Sequence, residues 1–200
     1  MNIQLKNIGK KYAKTWIFRH IDFNFEKGKS YALVGNNGSG KSTLLKIIAS
    51  AITPNEGEIH LNGYTEENVY EKLAYCAPYL ELVEEMNIIE AIDFHQKFKP
   101  LLPSFSTEKI VQLLGFQKDK LMKDYSSGMK QRVKLALAFF SDVDLILLDE
   151  PTSNLDRQGI EWYLSLVKEY QQSRTLIIAS NVKEEYSFCD EQLSILQYKS

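Results

Sequence analysis

The run Gly35-Asn36-Asn37-Gly38-Ser39-Gly40-Lys41-Ser42 follows the spacing G-x-x-x-x-G-K-[ST] without a gap. Glycine carries no Cβ, so this spacing lets successive backbone N–H groups turn inward around an anion. A helix beginning at the end of the run, near Thr43, adds partial positive charge. The chemistry implied is the binding of a nucleoside triphosphate, with Lys41 reaching the β- and γ-phosphates and the Ser42 hydroxyl ligating Mg²⁺. A second group lies in Leu145-Ile146-Leu147-Leu148-Asp149-Glu150, where two carboxylates end an apolar run. In an open α/β sheet, ligands sit at that end of the strands. Asp149 is placed to hold Mg²⁺, directly or through water, and Glu150 to polarise the water that attacks the γ-phosphate. A base of this kind contributes about 10²–10⁴-fold in rate. Each group alone has a plainer explanation, a glycine turn or a strand that merely ends on charges. Together they describe one site.

The elements that must position these residues follow from periodicity. Ile3-Gln4-Leu5 and the alternation Ile21, Phe23, Phe25 predict early strands with one buried face. Ser30–Val34 predicts a strand running into the glycine loop, and Thr43–Ala49 a helix that stops before Pro54. Glu56 to Gly63 reads as turn, strand and turn. From roughly Tyr79 to Lys134 the pattern becomes helical, with Ile88, Ile89, Ile92 and then Ile110, Val111, Leu114 at helix spacing. The last third returns to apolar strands at Leu145–Leu148 and Thr175–Ala179, with a helical stretch from Gln158 to Tyr170 between them. Strand, helix, strand predicts parallel pairing. The fold class expected is α/β, a mostly parallel core sheet with an N-terminal antiparallel β part and an inserted helical lobe over roughly 79–134, all within one domain, 1–200.

Composition narrows the function. The 200 residues carry 24 Lys and Arg against 26 Asp and Glu, a net charge of −2, which argues against broad electrostatic binding of nucleic acid. No apolar run reaches the length that spans a bilayer, and Met1–Lys6 lacks the pattern of a signal peptide. Work at a membrane would then need another chain to hold this one there. Cys76 and Cys189 form no C-x-x-C, which disfavours a disulfide framework and a zinc ribbon and makes a reducing cytoplasm the default.

The two motifs and their surroundings resemble the nucleotide-binding subunit of ATP-binding cassette (ABC) transporters, over nearly the whole chain. Tyr125-Ser126-Ser127-Gly128-Met129-Lys130-Gln131-Arg132 stands where that family carries its signature, usually Leu-Ser-Gly-Gly-Gln; Ser126 and Gly128 are kept, while Met129 replaces the usual Gln and Ser127 a usual Gly. It precedes a helical run with Val133, Ala136, Leu137 and Phe140 on one side. The resemblance implies a P-loop NTPase fold and ATP with Mg²⁺ as ligands. Two subunits, identical or different, would sandwich each ATP, so that Ser126 and Gly128 of one cover the nucleotide on the other. As a plain helix cap, Ser126 needs no such role. Tyr12 matches the aromatic that stacks on adenine, worth about 1–3 kcal/mol by analogy with base stacking; a surface tyrosine is the alternative. Pro151 to Asp156 resembles the family's loop at the subunit contact, closed by Asp156.

Two positions depart from the family. Tyr79, after Ala77-Pro78, replaces the usual Gln, and reaches Mg²⁺ at best through a water. Asn181, after the strand Leu176–Ala179, replaces a His that contacts the γ-phosphate; it offers a neutral hydrogen bond but no proton shuttle. Slow to moderate hydrolysis is the expectation. The function implied is the ATP-hydrolysing subunit of a membrane transporter whose permease is a separate chain, located in the cytoplasm against the inner face of the membrane. Within the resemblance, small single-domain members include the haem-exporter type. A soluble assembly scaffold and a slow-hydrolysing, nucleotide-dependent binding module are the alternatives. Trp16 and Phe18 read as strand-edge residues, Cys189 as a small buried hydrophobe, and Leu82, Val83 and Met86 as facing either a permease helix or the core.

Overall fold

A computed structural model of the chain describes residues 1–65 and 68–199. Two sheets organise it. Strands β1 (Ile3–Tyr12), β2 (Thr15–Phe25) and β4 (Glu56–Leu61) form an antiparallel sheet in the order β2-β1-β4. Strands β3 (Ser30–Val34), β5 (Leu73–Cys76), β6 (Leu145–Asp149), β7 (Thr175–Ala179) and β8 (Glu191–Ser194) form the second, in the order β5-β6-β7-β3-β8. Every pairing in this second sheet is parallel.

The parallel sheet divides two cores, and its strands show how. Side chains alternate across a strand. On β6, Ile146 and Leu148 face one core while Leu145 and Leu147 face the other; on β7 the split is Leu176 and Ile178 against Ile177 and Ala179. Burial on both faces explains why these strands read as unbroken apolar runs. One core takes the antiparallel sheet and α1 (Lys41–Ile48), through Leu44, Leu45 and Ile48. The other takes α2 (Ile88–Gln96), α3 (Thr107–Leu114), α4 (Ser127–Phe140) and α5 (Arg157–Tyr170). Between β5 and β6 the described elements are helical, as the periodicity predicts, apart from isolated bridges such as Asn87 with Leu121.

Three expectations are corrected or refined. Helix α4 is not one-sided: Leu135, Ala138 and Phe139 are buried along with Val133, Ala136, Leu137 and Phe140, because the helix lies among the sheet, α3 and α5. Phe18 does lie on an edge strand, β2, but its side chain is fully buried, pressed beneath Gly40. Cys189 is half-buried against the helical core rather than enclosed. Strands β5 and β8, four residues each, were not legible in the sequence.

Of the five described α-helices, four carry a side-chain cap. Asn87 closes a capping box on α2, and Ser106, Ser126 and Asp156 cap α3, α4 and α5. Helix α1 begins at Gly40 with no side-chain cap, so its first N–H groups remain free. No described helix is long and apolar enough to cross a membrane.

Candidate functional site

The glycine loop leaves β3 at its carboxyl end, at the edge of the sheet where β3 sits between β7 and β8, and enters α1 directly. Its glycines have physical reasons. Gly40 adopts φ 107°, and a Cβ there would lie 2.5 Å from the Ile17 side chain. Gly38 adopts φ 73° with open space where a Cβ would be, so backbone conformation alone selects it. The result is a cavity of about 210 Å³ lined by residues 37–43, Ile17 and Glu150. A larger hollow of about 770 Å³ at the ends of β1, β2 and β4, bounded by Asn24, His60 and Tyr64, shares no residue with the glycine loop.

Lys41 is buried, and its ammonium donates to the carbonyls of Gly35 at 2.8 Å and Asn36 at 3.2 Å. Burial lowers its pKa, against the pull of Glu150 and Asp149. Asp149 is also buried; desolvation raises its carboxyl pKa, opposed by a hydrogen bond from Ser42. Its Oδ2 has no hydrogen-bond partner. An unpartnered carboxylate oxygen beside a serine hydroxyl suits a hard cation, and Mg²⁺ typically takes one or two protein oxygens plus phosphate oxygens. No group of three or more His, Cys, Asp or Glu side chains among the described residues forms a metal cage of its own.

Glu150 is exposed and sits in the left-handed region at φ 44°, which costs a non-glycine residue of order 1–3 kcal/mol. Its side chain lines the same cavity as the α1 N-terminus. Asn181 joins the loop from the end of β7, its Nδ2 donating to Asn37 Oδ1 at 3.0 Å. Tyr12, at the β1–β2 turn, is half-exposed and its ring lies near the Lys10 ammonium, 5.6 Å from the centroid. Tyr79 does not line the cavity. Its hydroxyl pairs with that of Tyr75, and the Lys46 ammonium lies 4.3 Å from its ring centroid.

The structure therefore brings Lys41, Ser42, Asp149, Glu150 and Asn181 to one end of the parallel sheet. It does not bring Ser126 and Gly128 there. These line a separate cavity of about 400 Å³ with Phe116, Arg132, Asn154 and Asp156, sharing no residue with the glycine-loop cavity. Ser126 Oγ accepts from Met129 N at 3.2 Å, so it does cap α4. Asp156 accepts from Gly159 N at 2.7 Å and caps α5. Gly128 has a steric reason to be glycine, since a Cβ would meet the Asn154 carbonyl at 2.8 Å.

Sequence reasoning missed two buried polar residues. Gln131, on α4, donates from Nε2 to the Pro151 carbonyl at 2.8 Å. Glu185, after β7, accepts from Thr152 N at 3.0 Å and from the Thr152 hydroxyl. The available signal was Gln131 standing on the same helical face as Leu135 and Ala138, a polar residue on an apolar stripe.

Residues 18–153 match the ABC transporter family. The chain is 34% identical over 207 residues to the ABC transporter ATP-binding protein YybJ of Bacillus subtilis (strain 168), covering 96% of this chain and 92% of that one. It is 30% identical to the bacitracin transport ATP-binding protein BcrA of Enterococcus faecalis, over 92% of this chain and 62% of the relative. Among solved structures, a putative ABC transporter ATP-binding protein from Pyrococcus furiosus superposes with a TM-score of 0.85 at 23% identity, covering 100% of both chains. A dimeric bacterial ABC transporter cassette superposes at 0.82, with 22% identity over 96% of this chain and 94% of that one. Loop, carboxylates and architecture agree with these relationships: the chain belongs to the ABC transporter family, as an ATP-binding, ATP-hydrolysing cassette.

Proposed function

We propose that two such cassettes close around two ATP molecules and drive a membrane permease encoded as a separate chain, working from the cytoplasmic face of the membrane. The observation that carries the reading is the uncapped N-terminus of α1, with Lys41 and Glu150 on the wall of one cavity. Free N–H groups and a buried ammonium bind the β- and γ-phosphates. Tyr12 stacks on the adenine. Ser42 and Asp149 would hold Mg²⁺, which when bound neutralises charge on the phosphate oxygens. Glu150 takes the proton of the attacking water. Asn181 contributes a neutral hydrogen bond at the γ-phosphate, and Tyr79 acts only through its surroundings.

Ser126 and Gly128 serve the nucleotide held by the second subunit, which accounts for their separate cavity in one chain. ATP favours the closed pair because contacts to its γ-phosphate exist only there, and hydrolysis reopens it. Asn181 in place of a histidine makes hydrolysis slow rather than absent. The test is Mg²⁺-ATP turnover of the purified chain beside Glu150→Gln, with association followed by gel filtration. Glu150→Gln is expected to lose at least about 10²-fold in kcat and to hold an ATP-dependent dimer. Wild-type turnover in that variant rules Glu150 out as the base.

A further inference from the structure

The turn that carries Glu150 is gripped on both sides by buried polar groups. Glu150 itself donates from its backbone N–H to the Ala179 carbonyl at 2.9 Å, and its carbonyl accepts from Ser153 N at 3.0 Å. One residue on, the Pro151 carbonyl is held by Gln131 from α4. One further, Thr152 is held by Glu185 through both its backbone N–H and its hydroxyl. Gln131 is 1% exposed and Glu185 2%.

Neither side chain is fully satisfied by these bonds. Gln131 Oε1 and Glu185 Oε2 have no hydrogen-bond partner. A buried unsatisfied polar atom costs about 1–3 kcal/mol, and an apolar side chain of the same size avoids that cost. What the two bonds accomplish instead is local. They fix the peptides directly after a residue that would otherwise relax from φ 44°. Left-handed backbone at a non-glycine residue persists only where its surroundings over-determine it.

We infer that Gln131 and Glu185 are positioning residues, a clamp on Pro151 and Thr152 that holds Glu150 aimed at the nucleotide cavity. Neither touches the ATP. The inference rests on the reading of Glu150 as the base in the proposed function. It assigns hydrolysis a dependence on a residue of α4, one turn along the helix from Ser126 and Gly128.

The experiment compares Gln131→Met, Thr152→Val and Glu150→Gln in the full chain, with kcat and KM for Mg²⁺-ATP measured separately. Methionine keeps the length of Gln131 and removes its N–H; valine keeps the shape of Thr152 and removes its hydroxyl. Displacing a catalytic group by about 1 Å costs roughly 10²-fold. Gln131→Met is therefore expected to lose roughly 10²-fold in kcat while KM stays within about twofold of wild type. It is also expected to retain an ATP-dependent dimer on gel filtration, as is expected of Glu150→Gln, because ATP binds and is not cleaved. Should Gln131→Met fail to fold, Thr152→Val carries the same test at a half-buried position, with the same fall in kcat at constant KM. Unchanged kcat, or a raised KM at unchanged kcat, in a folded clamp variant overturns the inference. If that happens beside an inactive Glu150→Gln, the clamp alone is wrong. If Glu150→Gln turns over at the wild-type rate, the base reading itself fails and takes the clamp with it.

Discussion

Gly128→Ala separates what the fold needs from what the site needs. Gly128 is the second residue of α4, and an alanine Cβ there would stand 2.8 Å from the Asn154 carbonyl oxygen. Ordinary contact begins at 3.4 Å, so this oxygen must retreat by roughly 0.6 Å. It is not free to do so. Asn154 is in the left-handed region at φ 65°, and the turn around it is tied by Ser153 N to Glu150 O and Leu155 N to Thr152 O. Two energies oppose each other. Alanine gains about 0.8–1.0 kcal/mol over glycine within a helix. Overpacking of a well-packed contact costs about 1–3 kcal/mol. The net loss is about 0–2 kcal/mol, which lowers the melting midpoint of a chain this size by at most about 8 °C. Turnover pays more heavily. The displaced backbone belongs to the cavity that Ser126 and Gly128 line, and on the proposed function, where that cavity covers the second subunit's ATP, a shift of this size costs roughly tenfold. Thermal unfolding and Mg²⁺-ATP turnover on the same sample decide it. Wild-type turnover with an unmoved midpoint refutes the close-approach argument. A stability loss well beyond about 3 kcal/mol shows that Gly128 serves folding first.

Three further outcomes are expected. Asn181→His, which restores a titratable ring beside Asn37, should raise kcat by roughly tenfold or more, and an unchanged rate would show that Asn181 does not limit hydrolysis. Burial pushes the thiols of Cys76 and Cys189 up to about 12, so neither should react with a thiol reagent at pH 8 until denaturant is added; prompt native-state labelling contradicts their placement. His95, bonded through Nε2 to Ser141 Oγ at 2.8 Å, has its pKa lowered by burial, and next by Lys99, to about 4. Its unfolded value is about 6.5, so the unfolded chain binds more protons between those limits. The stability it contributes is complete above pH 6.5 and is lost as pH falls towards 4, amounting to roughly 2 kcal/mol by pH 5. Equal urea midpoints at pH 7 and pH 5 would contradict this.

What was legible in the sequence was legible because it is contiguous. The glycine loop needs eight adjacent residues, and Asp149-Glu150 ends a strand whose apolar character follows from burial on both faces. The helices of the middle segment announced themselves by spacing and by caps such as Asn87 and Ser106. Strand β8 did not, because Glu191 and Gln192 are exposed polar residues at the sheet edge and only neighbouring β3 orders them. The burial of Phe18 was not legible because it depends on Gly40 reaching over it. Gln131 and Glu185 lie 54 residues apart, and nothing local tells either that Pro151 and Thr152 will lie between them.

Helix α4 is where these separate parts become mechanically one. Its first turn presents Ser126 and Gly128 to their own cavity. One turn later, Gln131 grips the carbonyl beside Glu150. Lys134, nearly one turn further, donates to the Ala77 carbonyl at 3.0 Å and the Pro78 carbonyl at 3.2 Å, holding the turn that ends in Tyr79. A helix keeps these attachment points in fixed relation, because its backbone bonds run from each residue to the fourth along. The α4 N-terminus is thus tied to the backbone that follows β5 and to the backbone that follows β6. The departures at Tyr79 and Met129 fit this arrangement: Tyr79 is held through the carbonyls before it, and Met129 packs on the helical core. Neither substitution breaks a link that α4 makes. The chain can therefore differ from its family at these two positions and keep every contact by which α4 grips the turns after β5 and β6.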